Sequence, residues 1–141
     1  MDELEKVWLA CALDGEGHLS LLKVRKGCRC AIVISNTDIR FVEKAQQITA
    51  KGKIIIDTSK RKQDIKVRRL CYTWRVVKQS DCFEILTQIL PYLIIKKEKA
   101  DRILLFLKFR QQKGKRKWFS TIDETLIAGT QSEIEDIQKL F

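Results

Sequence analysis

The spacing of hydrophobic and polar residues along the 141-residue chain predicts a regular order of helices and strands. Apolar residues recur at helical spacing in some stretches, and in others they alternate or run together over lengths typical of strands. The predicted elements are a helix over 3–14, strands over 18–25 and 29–35, a helix over 39–50, strands over 53–59 and 67–77, helices over 81–90 and 98–109, and a helical tail over 121–141. A helix-strand-strand unit thus occurs twice, which predicts an α+β fold, an antiparallel sheet with helices on one face.

The first predicted helix has two apolar sides. Leu9 and Leu13 lie on one side at helical spacing, and the other side carries Leu4, Trp8, Cys11 and Gly15. Two apolar sides imply two packing partners, one of which is the chain's own sheet. Because the sequence contains one helix of this kind, we expect the second partner to be the same helix, residues 4–14, of a second subunit in a homodimer.

The chain is strongly basic, with 28 lysine and arginine residues against 18 aspartate and glutamate residues and a formal net charge of +10. A compact domain this basic usually binds a polyanion such as nucleic acid. Ile, Lys and Glu are plentiful and proline occurs once, so a second interpretation stays open, the lysine-rich surface of a thermophile protein.

The length of the chain predicts a single domain, 1–141, with a core over 4–110 and a C-terminal helical segment over 118–141. Neither a signal peptide nor an apolar run long enough to span a bilayer is visible. We therefore expect an intracellular protein, cytoplasmic or organellar, without a membrane partner. The odd number of cysteines, five, favours reduced thiols, although intracellular disulfides do occur in hyperthermophiles. The spacing of Cys28 and Cys30 does not fit a zinc site.

Both predicted hairpins have basic tips, and the last strand alternates between apolar and polar residues. Tyr72 and Trp74 alternate there with Thr73 and Arg75, so one face of the sheet is packed and the other is presented. A two-stranded ribbon can enter the major groove of DNA, while a plain solvated sheet face is the competing interpretation. The candidate base or phosphate contacts are Ser20, Lys23, Arg25, Lys26, Arg29, Arg69, Thr73 and Arg75. The candidate phosphate contacts are Lys60, Arg61 and Lys62 at the second tip, and Lys113, Lys115, Arg116 and Lys117 in a later basic loop.

The first helix ends in an acid-Gly-acid-Gly sequence, because residues 9–17 read LACALDGEG. Glycine at this point predicts an exit from the helix through positive φ. The stretch resembles the LAGLIDADG motif of the homing endonucleases. It matches the motif at Leu9, Ala10, Asp14 and Gly17, has conservative replacements at Leu13, Gly15 and Glu16, and departs from it at Cys11 and Ala12. A buried helix with an ordinary glycine cap is the competing interpretation of these nine residues.

Two further segments extend the resemblance to about residue 107. Residues 34–38, ISNTD, are similar to the strand end that leads into the family's second helix, and residues 91–100, PYLIIKKEKA, are similar to the segment that places an active-site lysine. The resemblance implies the αββαββα LAGLIDADG fold, in which two sheets form a saddle over DNA.

The resemblance also implies a set of site residues. Glu16 corresponds to the acid that binds a divalent metal, for which Mg²⁺ is expected, with the backbone carbonyl of Gly15 as a further ligand. Asp14 is a weaker candidate ligand, because its position favours bonding to backbone groups at the helix end. Asn36 corresponds to a residue that organises water, and Lys96 to a lysine near the scissile phosphate. The competing interpretations are an N-cap for Asn36 and a solvated charge for Lys96.

The function implied is a homodimeric, Mg²⁺-dependent, site-specific DNA endonuclease of the intron-homing type. It would cut both strands of a long pseudo-palindromic target across the minor groove and leave 3′ overhangs. A non-cleaving nucleic-acid binder of the same fold, an RNA splicing maturase or a transcription regulator, is the alternative. A third class, a thermophile structural domain with a basic surface, would show no binding to random DNA at low salt.

Overall fold

The computed structural model describes residues 1–24, 27–57 and 70–112. Its elements within these ranges are α1 (Glu3–Glu16), β1 (Gly17–Val24), β2 (Gly27–Asn36), α2 (Ile39–Thr49), β3 (Lys53–Asp57), β4 (Cys71–Val76), α3 (Gln79–Ile89) and α4 (Lys97–Gln112), with a 3₁₀ turn at Leu90–Tyr92 before α4. This order confirms the predicted αββαββα arrangement. The chain divides into two units, Met1–Leu104 and Leu105–Phe141, and the predicted helical segment over 118–141 lies outside the described residues.

The described strands form one antiparallel sheet in the order β1-β2-β4-β3. The central row runs across the sheet from Gly17 through Ile34 and Trp74 to Ile54. Ile34 and Trp74 are fully buried, because α1, α2 and α3 pack against this face. The helices therefore lie on one face, as predicted, and the opposite face is left open.

Helix α1 begins with a reciprocal cap. The backbone N–H of Glu5 donates to Asp2 Oδ1 at 2.8 Å, and the backbone N–H of Asp2 donates to Glu5 Oε2 at 2.9 Å. This capping box satisfies two backbone donors that the helix cannot pair internally. It fixes the start of α1 ahead of the buried residues Leu9, Ala10 and Leu13.

The end of α1 differs from the prediction. The helix continues to Glu16, and Gly17 leaves it in an extended conformation with φ −97°, so the predicted exit through positive φ is wrong. Glycine is needed at position 17 for space: a Cβ there would lie 2.5 Å from Leu13 Cδ1 and 2.7 Å from Leu13 Cα and O. The close approach of the strand start to the preceding helical turn explains this glycine.

Helix α2 is capped by Asp38 and joins β3 through a tight turn. Asp38 Oδ1 accepts the backbone N–H of Arg40 at 3.0 Å, and the helix ends at Ala50, whose φ is 51°. Gly52 follows with φ 80°, where a Cβ would lie 2.7 Å from Trp74 Nε1. That indole N–H donates to the carbonyl of Lys51 at 2.8 Å, which satisfies the polar atom of a fully buried tryptophan.

The four cysteines that the structure describes are free thiols, and the reduced state of the protein stays a prediction. Cys30 of β2 and Cys82 of α3 are fully buried, while Cys11 is exposed and Cys71 is half-buried. A hydrogen bond with Cys82, in which the Cys30 thiol is the donor, and burial together raise the pKa of that thiol. These two buried thiols act as apolar packing groups between the sheet and α3.

Among the described helices, none has the length and apolar character needed to cross a membrane.

Candidate functional site

The carboxylate of Asp14, near the end of α1, binds a segment of chain 80 to 82 residues further on. Asp14 Oδ2 accepts the backbone N–H groups of Ile94 at 2.7 Å and Ile95 at 3.2 Å, and Oδ1 accepts that of Lys96 at 2.9 Å. In return, Lys96 Nζ donates to the backbone carbonyl of Asp14 at 2.8 Å. These four hydrogen bonds tie the start of α4 to the end of α1.

The same contacts determine the charge of Asp14. Burial alone would raise the pKa of its carboxyl, but the N–H groups of Ile94, Lys96 and Ile95 and the Lys96 ammonium lower that pKa below its ordinary value. Asp14 is therefore ionised at neutral pH, and both its oxygens hold the segment before α4. This agrees with the structural role that its position favoured over metal binding.

Two further oxygen donors lie at the end of α1. Glu16 is the last residue of the helix and is exposed. The backbone N–H of Gly17 donates to the carbonyl of Leu13, so the carbonyl of Gly15 lies beyond the last hydrogen bond of the helix. A carboxylate and a carbonyl oxygen are ligands that Mg²⁺ accepts.

The described residues supply at most part of a metal site. Among them there is no group of three His, Cys, Asp or Glu side chains that could hold a metal ion. The donors at Glu16 and Gly15 fit a divalent cation that takes further oxygen ligands, such as nucleic-acid phosphates, groups of a second subunit or water.

Asn36 ends β2 near the junction of α1 and β1. It lies two residues beyond Ile34, which pairs with Gly17. Its Oδ1 accepts the backbone N–H of Asp38 at 2.8 Å, and Asp38 itself caps α2. The N-cap interpretation of Asn36 is therefore wrong, because its carbonyl closes the turn before the cap, and its amide NH₂ is the group that can donate to a water molecule.

A cluster of three basic side chains, His18, Lys96 and Lys99, adjoins the end of α1. Burial and then the charges of Lys99 and Lys96 lower the pKa of His18. Burial and the charge of Lys96 lower the pKa of Lys99 to about 8. Sequence reasoning gave no role to Lys99 and a strand or backbone-contact role to His18. The three-residue spacing between Lys96 and Lys99 on a helix is the signal that could have joined the lysines.

The open face of the sheet carries four of the predicted DNA contacts. Thr73 and Arg75 alternate with the buried Trp74 and Val76 on β4, and the register places Ser20 and Arg29 on the same face through β2. Arg29 and Arg75 are exposed, and Ser20 and Thr73 are half-buried. The predicted alternation of β4 is therefore confirmed.

Two residues of this face were missed from sequence. Lys53 of β3 pairs with Arg75 and is exposed. Ser35 of β2 pairs with Thr73, and the two hydroxyls are hydrogen-bonded to one another at 2.8 Å. Neither residue could be placed beside Thr73 or Arg75 from the sequence. Their positions depend on the pairing of β2 and β3 with β4, which the sequence does not give.

The remaining predicted contacts are not placed. Lys23 pairs with Cys28 in the first hairpin, and its side chain is not among those described. The other predicted contacts that lie outside the described residues are Arg25, Lys26, Lys60, Arg61, Lys62, Arg69, Lys113, Lys115, Arg116 and Lys117.

Helix α1 has a buried side and an exposed side, as its apolar pattern predicted. Leu9 and Leu13 are 1% exposed, whereas Leu4 is 81% and Val7 44% exposed, and Cys11 is also exposed. A Cβ on Gly15, further along this side, would meet no atom within 4 Å.

Two details of the exposed apolar surface differ from the prediction. Trp8 packs on Phe41 of α2 with ring centroids 5.2 Å apart, so it belongs to the chain's own packing. Beyond α1, the surface includes Ile94 and Ile95, which are 85% and 76% exposed in the segment that Asp14 holds.

No protein-family model and no curated protein matches the sequence, but solved structures resemble the fold. The homing endonuclease I-CvuI, in complex with a DNA target in the presence of Mg, aligns with a TM-score of 0.58 and 21% identity over 75% of this chain and 67% of its own. The archaeal intron-encoded homing endonuclease I-Vdi141I, complexed with DNA, aligns with a TM-score of 0.58 and 12% identity over 96% of this chain and 99% of its own.

The LAGLIDADG meganuclease I-CpaMI, bound to uncleaved DNA, aligns with a TM-score of 0.61 and 16% identity over 84% of this chain and 39% of its own. At these identities the likeness is one of fold. It confirms the fold that the motif at residues 9–17 and the order of the elements predicted.

Proposed function

We propose that this chain, which has the fold of the LAGLIDADG homing endonucleases, is a homodimeric, Mg²⁺-dependent, site-specific DNA endonuclease. It would hydrolyse one phosphodiester in each strand of a long pseudo-palindromic target, across the minor groove at its centre, and leave 3′ overhangs. The observation that carries the proposal is the contact between Asp14 and Lys96. It brings a lysine to the exposed acid at the end of α1, beside the open face of the sheet.

Binding to double-stranded DNA is supported by the chemistry of that open face. Arg29, Arg75 and Lys53 are exposed on it, and the whole chain has a net charge of +10. Cations on a two-stranded ribbon suit phosphate contacts and hydrogen bonds to bases in the major groove. The fold neighbours I-CvuI, I-Vdi141I and I-CpaMI are each in complex with DNA.

A homodimer is supported by the exposed apolar side of α1. Leu4, Val7 and Cys11 recur at helical spacing on a helix whose other side is already in the core. The I-CpaMI chain is long enough to contain two units of this size, since this chain spans 39% of it. Two copies joined through α1 would place two Glu16 carboxylates close to the symmetry axis, and hence one near each strand of the DNA.

Each polar residue near the end of α1 has a role in the proposed phosphodiester hydrolysis. Glu16 and the carbonyl of Gly15 would hold Mg²⁺, which when bound supplies charge stabilisation to the attacking and leaving oxygens. Lys96, oriented by its 2.8 Å hydrogen bond to Asp14, offsets negative charge beside the scissile phosphate. Asn36 keeps an amide NH₂ with which to orient water, because its carbonyl is used in the turn to Asp38.

The biological role that follows from such an activity is intron homing. A nuclease that cuts one long site promotes copying of its own coding intron into that site. The fold neighbour I-Vdi141I is intron-encoded. For this chain the intron origin and an intracellular location belong to the proposal, and a thermophile source stays a prediction from composition.

The test is cleavage of a library of DNA duplexes with Mg²⁺, with Ca²⁺ and with EDTA. Mg²⁺-dependent cutting at one long site is expected, with cut positions offset to give 3′ overhangs. Glu16→Gln should lower the cleavage rate by about 100-fold or more while binding in Ca²⁺ is retained. Glu43→Gln, an exposed carboxylate on α2, is the matched control and should cut as the natural chain does.

Each other outcome contradicts a defined part of the proposal. Undiminished cleavage by Glu16→Gln would remove Glu16 from the metal site. Tight, salt-sensitive binding without cutting by the natural chain would favour the alternative, a splicing maturase or transcription regulator of the same fold. The absence of binding at low salt would reject both functions.

A further inference from the structure

We propose that His18, Lys96 and Lys99 together bind one DNA backbone phosphate next to Glu16, with His18 and Lys99 as phosphate-contacting residues in addition to Lys96. This inference rests on the proposed nuclease function, because it requires DNA on the open face of the sheet. It assigns a role to two side chains that neither the motif nor the resemblance explains.

The placement of the three side chains follows from the backbone. His18 is the second residue of β1, two residues after Glu16, and it pairs with Val33. That register puts His18 on the open face, since its neighbour Leu19 faces the helices and is fully buried.

The two lysines reach the same place from the other side. Asp14 binds the backbone N–H groups that precede α4, which fixes Lys96 at the end of α1. Lys99 lies three residues further on, in the first turn of α4, and residues at this spacing share a side of a helix. Strand β1 and helix α4 therefore bring three basic groups together beside one exposed carboxylate.

The two lysines of the cluster carry like charges. Partial burial and then the charge of Lys96 lower the pKa of Lys99 to about 8. The carboxylate of Asp14 is engaged by three backbone N–H groups. An anion within the cluster would offset the repulsion and favour the charged form of each group.

The geometry favours a backbone phosphate as that anion. The cluster borders the open face that carries Arg29 and Arg75, so a DNA strand lying on those residues continues towards it. The cluster is linked to Glu16 on both sides, through the first residues of β1 and through the hydrogen bond between Lys96 and Asp14. The phosphate held here would be at or next to the one that is cut.

The experiment measures how binding to a mixed-sequence duplex falls with salt, in Ca²⁺ so that no cutting intervenes. Each lost phosphate contact reduces the slope of log Kobs against log salt by about one. Lys99→Met should reduce the slope by about one per subunit, and Lys99→Arg should restore it. His18→Gln should weaken binding with little change of slope, because the lowered pKa of His18 leaves an uncharged imidazole that donates a hydrogen bond. Lys97→Met is the matched control, because Lys97 is exposed on the same helical turn but points away from Lys99 by its position.

The outcomes separate this inference from the proposed function. If the natural chain binds DNA with a steep salt slope, Lys99→Met keeps that slope and His18→Gln keeps the natural affinity, the phosphate site is wrong and DNA binding stands. If the natural chain does not bind DNA, the proposed function itself fails. Thermal unfolding of each variant identifies any loss of DNA binding that comes from misfolding. If Lys99→Met is misfolded, the salt slope of the Lys99→Arg variant tests the phosphate site. Inorganic phosphate at matched ionic strength should compete weakly if the site is built for a phosphate held within a DNA strand.

Discussion

Asp14 and Lys96 are joined by two hydrogen bonds, and Lys96 donates both of them. The Lys96 backbone N–H donates to the Asp14 carboxylate at 2.9 Å, and Lys96 Nζ donates to the Asp14 backbone carbonyl at 2.8 Å. The first bond fixes where α4 begins, and the second fixes where the ammonium lies. A single acidic residue thus positions the lysine and leaves the neighbouring Glu16 exposed for a ligand.

Replacing this acid should weaken both the fold and the proposed activity. Asp14→Asn removes the charge that three backbone N–H groups stabilise, so we expect a loss of about 1–2 kcal/mol in the free energy of unfolding. Cleavage should also fall, because Lys96 loses its orientation. Urea denaturation and the cleavage assay measure the two effects, with the exposed Asp101→Asn as control.

The difference between the natural chain and Asp14→Asn should depend on pH. The folded-state pKa of Asp14 lies below the model-compound value of 3.8, so its stabilising contribution is present at neutral pH and is lost as pH falls through the folded pKa. Unfolding curves collected from neutral pH down to below pH 4 should converge for the two proteins. A constant difference across that range would show that Asp14 stabilises the fold by packing and not by charge.

The sequence predicted the role of Asp14 but not the groups that Asp14 binds. The acid-Gly-acid-Gly sequence at residues 14–17 marked the site, and the position of Asp14 at a helix end favoured a bond to backbone groups. The identity of those groups was not predictable, because Ile94, Ile95 and Lys96 are distant in sequence and meet Asp14 only through the packing of α3 and the following 3₁₀ turn against α1.

The two glycines of the motif should respond differently to alanine. A Cβ on Gly17 would lie 2.5 Å from Leu13 Cδ1 and 2.7 Å from its backbone, so Gly17→Ala should destabilise the fold by about 1–3 kcal/mol. Gly15 lies in the helix with open space around it, and Gly15→Ala should be neutral or stabilising by up to about 1 kcal/mol. Urea denaturation at low protein concentration compares the two, and equal losses would contradict the close-approach explanation of Gly17.

The exposed side of α1 should be buried when two chains associate. Cys11 lies on this side and is exposed in the single chain, so its alkylation by a maleimide should slow as protein concentration rises. Cys30 and Cys82 are fully buried and should react slowly at every concentration. Labelling of Cys11 at a rate independent of concentration would place any dimer interface elsewhere.

A charge at the same position should separate the subunits. Cys11→Arg would bring two like charges together across a two-fold axis, and we expect the dimer Kd to rise by about 100-fold or more. Sedimentation velocity measures the change, and circular dichroism should show that each chain remains folded because Cys11 is not part of the core. Glu43→Arg, exposed on α2, is the control and should leave the dimer intact.

The open face of the sheet illustrates what sequence patterns cannot predict. The alternation of Thr73 and Arg75 with Trp74 was predictable, because a half-buried strand has a period of two. The strand order β1-β2-β4-β3 was not predictable, and without it Lys53 and Ser35 could not be placed beside Arg75 and Thr73. Local periodicity predicts the face of a residue within its strand, whereas its neighbours depend on pairing between distant segments.

Lys99 should make the stability of the fold depend on alkaline pH. Its pKa in the folded chain is about 8, below the ordinary lysine value of 10.5, so the unfolded chain binds this proton more tightly. The free energy of unfolding should therefore rise as pH increases from about 8 towards 10.5. Lys96 on the same segment is the basic group that opposes its charge, and Asp14 accepts hydrogen bonds from Lys96. His18 on β1 is uncharged in this pH range, because its pKa lies below 6.5. Lys99→Met should flatten this rise and, at neutral pH, raise Tm by a few degrees because an unfavourable charge is removed. A variant that is less stable than the natural chain at neutral pH would show that the Lys99 ammonium is stabilised by its surroundings, which is the opposite of the crowding inferred here.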